Sequence, residues 1–203
     1  MIRVISALAA VALCLTLGAS PARAGDIPPT MLGPGDANVS DIGGKAVIRM
    51  SKYGPVYISG QHNSHLRLTY VKDRQIIRFR DTRTGTLRSA PKRCSQEKVK
   101  KGISVICTIP KEFREKKRKM FIQVWPRLGS DYVDGRTLPR KFRLWVLTDA
   151  GNDVVYGGAG NDFVNGAKGN DRAYGGDGRD WLRGGPGADT LVGGAADDRI
   201  AQG

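Results

Sequence analysis

Two periodicities divide the chain. Between Ala46 and Leu147, short runs alternate apolar and polar residues: 46–50, 66–71, 75–80, 103–109, 120–124 and 142–147, rich in Val, Ile, Tyr and Phe and separated by turn residues. In Leu66-Arg67-Leu68-Thr69-Tyr70-Val71 the alternation is that of a strand with one buried face. From Thr148 the period becomes nine. An apolar residue fills the eighth slot of each unit, as Val155, Val164, Ala173, Leu182, Leu191 and Ile200, and an aspartate fills the sixth, as Asp153, Asp162, Asp171, Asp180, Asp189 and Asp198. Slots seven to nine predict a short strand whose middle side chain points into a thin core.

Glycine crowds the remaining slots. It fills the fourth as Gly151, Gly160, Gly169, Gly178 and Gly187, with Ala196 the exception, and recurs in the first two. Such positions suit positive φ or close backbone approach. Each unit therefore predicts a tight turn that offers carbonyl oxygens and one carboxylate, a shell that suits a hard cation with six to eight oxygen ligands. A flexible Gly/Asp/Asn linker is the competing reading, but register kept over all the units argues against it.

Each unit approximates G-G-x-G-x-D-x-U-x, with U apolar, and so resembles the RTX (haemolysin-type) calcium-binding nonapeptide repeat. The resemblance implies an all-β fold in which residues 148–203 form a right-handed parallel β-roll, two units to a turn, with calcium between unit i and unit i+2. Carried onto this chain, it pairs Asp153 with Asp171, Asp162 with Asp180, Asp171 with Asp189, and Asp180 with Asp198, for about four Ca2+ ions. Gly151, Gly158, Gly160, Gly169, Gly176 and Gly178 complete the implied ligand set through their carbonyls. The last unit departs most from the pattern, with Ala196 and an additional acid at Asp197.

Upstream, Leu128-Gly129-Ser130-Asp131-Tyr132-Val133-Asp134-Gly135 falls on the same template, with Asp131 in slot six and Val133 in slot eight. Register then breaks before Thr148, so residues 126–147 read either as a divergent first coil or as an ordinary Gly-Ser-Asp turn. Residues 45–125 read as a small basic β-domain or cap on the solenoid, whose first coil would otherwise be exposed. Residues 25–44, rich in Gly, Pro, Asp and Ser, read as a flexible leader.

Met1 to Ala24 has the form of a secretory signal: Arg3, the apolar run Val4–Leu17, and Ala22-Arg23-Ala24 as a cleavage site. The run is shorter than the ~20 residues of a membrane span, and the expected location is extracellular. Of the three cysteines Cys14 leaves with the signal, and an oxidising destination favours a Cys94–Cys107 disulfide over a thiolate metal pair. With a cleavable signal, and with no segment expected after the repeats, the chain is more similar to small exported calcium-binding repeat proteins of bacteria than to type I toxins or proteases. A last coil without a cap predicts that Ile200 lies near an open end through which the protein could dimerise.

Charge is uneven. Formal net charge is +14, but residues 25–147 hold 26 Lys and Arg against 10 Asp and Glu, whereas residues 148–203 hold 5 against 9. The densest run spans residues 111–119, where Lys116, Lys117, Arg118 and Lys119 are candidates for binding anionic polymers such as wall polymers or acidic polysaccharide. A solvated basic turn is the alternative. Phe163, Trp181 and Arg199, and likewise Tyr156 and Tyr174, should stack one coil apart on outer faces, either as ordinary strand ladders or as a glycan platform. His62 and His65, the only histidines, read as a surface-turn pair, and no hydrolase or nucleotide-binding motif is present. Three functions follow: a non-enzymatic calcium-dependent structural or adhesive module, a polyanion binder with a calcium-folded tail, or a small hydrolase, which the sequence supports least.

Overall fold

The computed structural model describes residues 42–60, 62–114 and 118–203. The signal, most of the leader, Lys116 and Lys117 lie outside the described residues. The alternating runs become strands: β1 (Lys45–Ser51), β3 (His65–Val71), β4 (Ile76–Asp81), β7 (Ile103–Thr108), β8 (Met120–Trp125) and β10 (Phe142–Leu147). Three further strands break the alternation rule: β2 (Gly54–Ile58), β5 (Thr86–Ser89) and β6 (Cys94–Glu97). Pro55 masks β2, since proline removes a ladder donor and is confined to strand ends or edges. It sits beyond the part of β2 that pairs with β8, which is Val56–Ile58. The other two are polar edge strands, defined by their partners rather than by their own pattern.

In the repeats, slots seven to nine open strands β11 (Val154–Tyr156), β12 (Phe163–Asn165), β13 (Arg172–Asp177), β14 (Trp181–Arg183), β15 (Thr190–Ala195) and β16 (Arg199–Ala201), preceded by β9 (Tyr132–Asp134). Helix is limited to α1 (Lys111–Arg114) among the described residues. The strands make two eight-stranded sheets, one ordered β16-β14-β12-β10-β8-β2-β1-β5 and the other β15-β13-β11-β9-β3-β4-β7-β6. Even and odd units thus supply opposite sheets. The result is an all-β fold with a β-solenoid of about 4 turns over residues 120–201.

Parallel pairing carries both sheets across the expected boundary near residue 125. β8 pairs with β2 and with β10, and β9 pairs with β3 and with β11, all in parallel. Val133 stands in register with Val155, then Ala173, then Leu191; Val146 stands with Val164, Leu182 and Ile200. Residues 128–135 lie one coil above the repeats, in slot-for-slot register with them. The N-terminal strands are the first members of the solenoid's own two sheets.

Between the sheets the core narrows along the axis. Near β2 and β4 it holds Tyr57 stacked on Phe79, with ring centroids 5.7 Å apart, beside Ile48, Leu66, Leu68 and Ile77. In the repeats it shrinks to Val155, Val164, Ala173 and Leu182, while Ile200 is 49% exposed. Full burial of one Val or Leu side chain is worth about 1.5–3 kcal/mol, so the upper coils are stabilised by packing far more than the lower ones.

Cys94 and Cys107 face each other across β6 and β7 and form a disulfide, their Cα atoms 4.0 Å apart. It ties the outermost strand of its sheet to the core. Free-thiol titration of the denatured, unreduced protein purified from an oxidising compartment should find neither of them reactive. Their replacement by serine should lower stability by about 3 kcal/mol on the chain-entropy account of a loop this size.

Candidate metal centre

Each repeat aspartate sits on the last turn residue before its strand, so two columns of carboxylates run down the solenoid. In one column the Asp153 amide donates to Asp171 Oδ1 at 2.9 Å and the Asp171 amide to Asp189 Oδ1 at 2.9 Å. In the other the Asp162 amide donates to Asp180 Oδ1 at 2.7 Å and the Asp180 amide to Asp198 Oδ1 at 2.8 Å. The four expected pairs are therefore brought together. The main chain repeats the link in the reverse sense: the Arg172 and Trp181 amides donate to the Asp153 and Asp162 carbonyls at 2.8 and 2.9 Å.

Only half of each carboxylate is used by these bonds. Oδ2 of Asp153, Asp171, Asp180 and Asp189 is buried with no hydrogen-bond partner among the described residues, whereas Oδ2 of Asp162 accepts from the Gly158 amide at 2.6 Å. Glycine makes the space. A β-carbon at Gly166, Gly175 or Gly184 would lie 2.2, 2.2 or 2.0 Å from Oδ2 of Asp171, Asp180 or Asp189. The fourth-slot glycines stack on carbonyls of the coil above: a β-carbon on Gly169 would lie 1.7 Å from the Gly151 oxygen, and one on Gly178 would lie 2.3 Å from the Gly160 oxygen. Gly176 meets the Gly158 oxygen in the same way, at 2.3 Å. Gly151 and Gly169 need glycine for positive φ as well, at 148° and 135°.

Buried acceptors with no donor demand a proton or a cation. Burial pushes the carboxyl of Asp162 up to about 8, that of Asp180 to about 7 and that of Asp153 to about 6, and raises that of Asp171. The neighbouring aspartate one coil away adds a smaller upward push on each. No group of three or more carboxylate, imidazole or thiolate side chains converges on one point among the described residues. Paired carboxylates beside stacked carbonyl oxygens are a donor set that suits a hard ion.

Some contributors were not expected. Asn152 and Asn170 form a side-chain ladder in the fifth slot, accepting at 2.8 Å from the Asn170 and Ala188 amides. The recurrence of asparagine in that slot of the first three units was the available signal. Asp81 is a buried hub that accepts from the hydroxyls of Tyr57, Ser64 and Thr84 at 2.9, 2.6 and 2.7 Å. Burial opposes its charge, but the Ser64 and Thr84 hydroxyls and the Arg83 and His65 amides outweigh it and hold its carboxyl below the ordinary value. The turn after β4 supplies the Arg83 and Thr84 donors locally, but the Tyr57 and Ser64 donors come from elements distant in sequence, which no local pattern marks.

The outer faces carry the expected rows and extend them. Phe163 lies 5.0 Å from Trp181, with Arg199 over the latter ring, and Trp145 adds a further member 4.8 Å from Phe163. On the other sheet Tyr156 stacks on Tyr174 at 4.8 Å. His65 is the first residue of β3 and stacks on Tyr132 at 4.4 Å, so it is a strand residue rather than half of a surface-turn pair. Of the basic run, Arg118 lies over the Phe113 ring and donates to the Lys52 carbonyl, and Lys119 reaches the Arg140 carbonyl; both are exposed.

Residues 145–173 and 174–201 match the family model described as RTX calcium-binding nonapeptide repeat (4 copies). No curated protein and no solved structure matches the chain. The chain carries RTX repeats, and its C-terminal coils are a calcium-binding β-roll.

A pH dependence follows from the raised carboxyls. Groups whose folded values lie near 6 to 8 keep their protons in the metal-free fold, so their contribution is complete below the ordinary value of 3.8 and is lost as pH rises through that window. In chelator, the strand signal in circular dichroism should be larger at pH 5 than at pH 9. Calcium should remove the difference and release protons as it binds. A metal-free signal that grows with pH would contradict this.

Proposed function

We propose that the protein is a secreted, non-catalytic calcium-binding module whose repeats complete their fold on Ca2+ and act outside the cell as a structural or adhesive element. The observation that carries the reading is the column of buried, donorless Oδ2 atoms beside stacked glycine carbonyls. The ligands would be Asp153 with Asp171, Asp162 with Asp180, Asp171 with Asp189 and Asp180 with Asp198, with carbonyls among Gly151, Gly158, Gly160, Gly169, Gly176 and Gly178. Bound calcium supplies the positive charge that lets neighbouring carboxylates ionise side by side. The chain's own contribution is to hold those oxygens in place through the amide to Oδ1 bonds. Export is supported by the Met1–Ala24 segment and agrees with a disulfide.

Asp171 and Asp180 each join two pairs, whereas Asp198 joins one. In calcium titrations followed by circular dichroism, Asp171→Ala should raise the midpoint concentration at least tenfold, and Asp198→Ala should raise it less. Equal effects, or a strand signal already complete in chelator at pH 8, would refute the reading.

A second reading, binding of an anionic wall or matrix polymer, is favoured by the outer face of the repeats. There the row Trp145, Phe163 and Trp181 runs down β10, β12 and β14, with Arg143 on β10, Arg183 on β14 and Arg199 of the adjacent β16 over the Trp181 ring. Retention on an anionic polysaccharide matrix should weaken severalfold between about 50 and 200 mM salt. Neutralising Arg143 and Arg183 together should reduce it further, as should neutralising residues 116–119. Salt-independent retention would rule out the electrostatic account.

A further inference from the structure

Resting on the calcium reading of the repeats, we infer that Asp131 and Asp153 hold an additional calcium ion at the junction of the N-terminal strands and the solenoid. Asp131 lies in residues 128–135, upstream of the matched repeats, which begin at residue 145. Its surroundings nevertheless copy those of a repeat aspartate. It is 2% exposed, its amide donates to Asp153 Oδ1 at 2.7 Å, and its carbonyl accepts from the Val154 amide at 2.8 Å. Its own Oδ1 accepts from the Ser64 amide, and its Oδ2 is buried with no partner among the described residues, as is Oδ2 of Asp153.

The glycine cradle is present too. Gly129 has φ of 122°, and its carbonyl oxygen lies 2.0 Å from the position a β-carbon on Gly151 would take, much as the Gly151 oxygen lies 1.7 Å from that of Gly169. Two buried, donorless carboxylate oxygens and a stacked pair of glycines therefore sit one coil above the first repeat pair. The other column has no counterpart. There Asp162 Oδ1 is met by the Leu144 amide, so the coil above it supplies no acid. The column of Asp131, Asp153, Asp171 and Asp189 thus contains three adjacent pairs, whereas that of Asp162, Asp180 and Asp198 contains two. What differs at the top is the partner strand. Ser64, which caps Asp131, also donates its hydroxyl to Asp81, so a cation here would fasten the repeats to the buried hub of the N-terminal sheets.

The test is calcium stoichiometry by equilibrium dialysis of the full chain at pH 8, with Asp131→Asn, Asp153→Asn and Asp189→Asn compared against the unaltered protein. Asp131→Asn should bind one ion fewer. Asp153→Asn, which belongs to two pairs, should lose two ions, whereas Asp189→Asn, which belongs to one, should lose one. This comparison decides the matter even where Asp131→Asn does not fold. Equal losses from Asp153→Asn and Asp189→Asn would overturn the junction site while leaving the repeat sites standing, as would an unchanged count in folded Asp131→Asn. An unaltered protein that binds no calcium would remove the underlying reading as well.

Discussion

One carboxylate per unit, with Oδ1 taken by a main-chain amide and, in four of the six units, Oδ2 buried without a donor among the described residues, sets the conditions for everything below Leu147. The Oδ1 bond fixes the register of coil on coil, because it is made by the same slot in every unit. The buried Oδ2 atom carries the charge that calcium would neutralise under the proposed function. Burial disfavours the ionised form of each carboxyl, and the aspartate one coil away adds a smaller repulsion. A buried Val or Leu in the eighth slot returns about 1.5–3 kcal/mol, and Ala173 returns less. Packing in the lower coils is thus thin where the buried carboxyls are most costly to ionise, and neutralising that charge favours the coil.

Packing alone is sufficient further up. Tyr57, Phe79, Leu66 and Ile48 lie between sheets built largely from antiparallel pairs and fastened by Cys94–Cys107. These strands present parallel edges, β3 and β8, on which β9 and β10 lie. The first coil is thus templated by a preformed edge, which removes the loop-closure and ordering cost that a free solenoid would face at nucleation. Growth from that edge is quasi-one-dimensional, each coil depending on its neighbour.

Much of this was legible in the residues. The nine-residue period located every strand of the repeats, and alternation located β1, β3, β4, β7, β8 and β10. The pairing of aspartates one coil apart followed from the family resemblance and is what the hydrogen bonds show. What escaped is informative. β2 was hidden by Pro55, and β5 and β6 are exposed strands whose polar sequences acquire their pairing only from β1 and β7. Asp81 became visible only once the fold had brought Tyr57 of β2 and Ser64 to the carboxylate that the following turn, through Arg83 and Thr84, already holds. The break in period after Gly135 obscured the continuity of β9 with β11, because the inserted residues loop out without disturbing the register of Val133 on Val155.

The central claim is that calcium, through the aspartate columns, makes the lower coils while packing makes the upper strands. Amide hydrogen exchange of the full chain at pH 8, resolved along the sequence with and without calcium, tests this most directly. Amides of β3, β4, β7 and β8 should be protected in both conditions, whereas those of β13 to β16 should exchange freely in chelator and become protected by several orders of magnitude with calcium. Equal protection of β13 to β16 in chelator and in calcium would contradict the account.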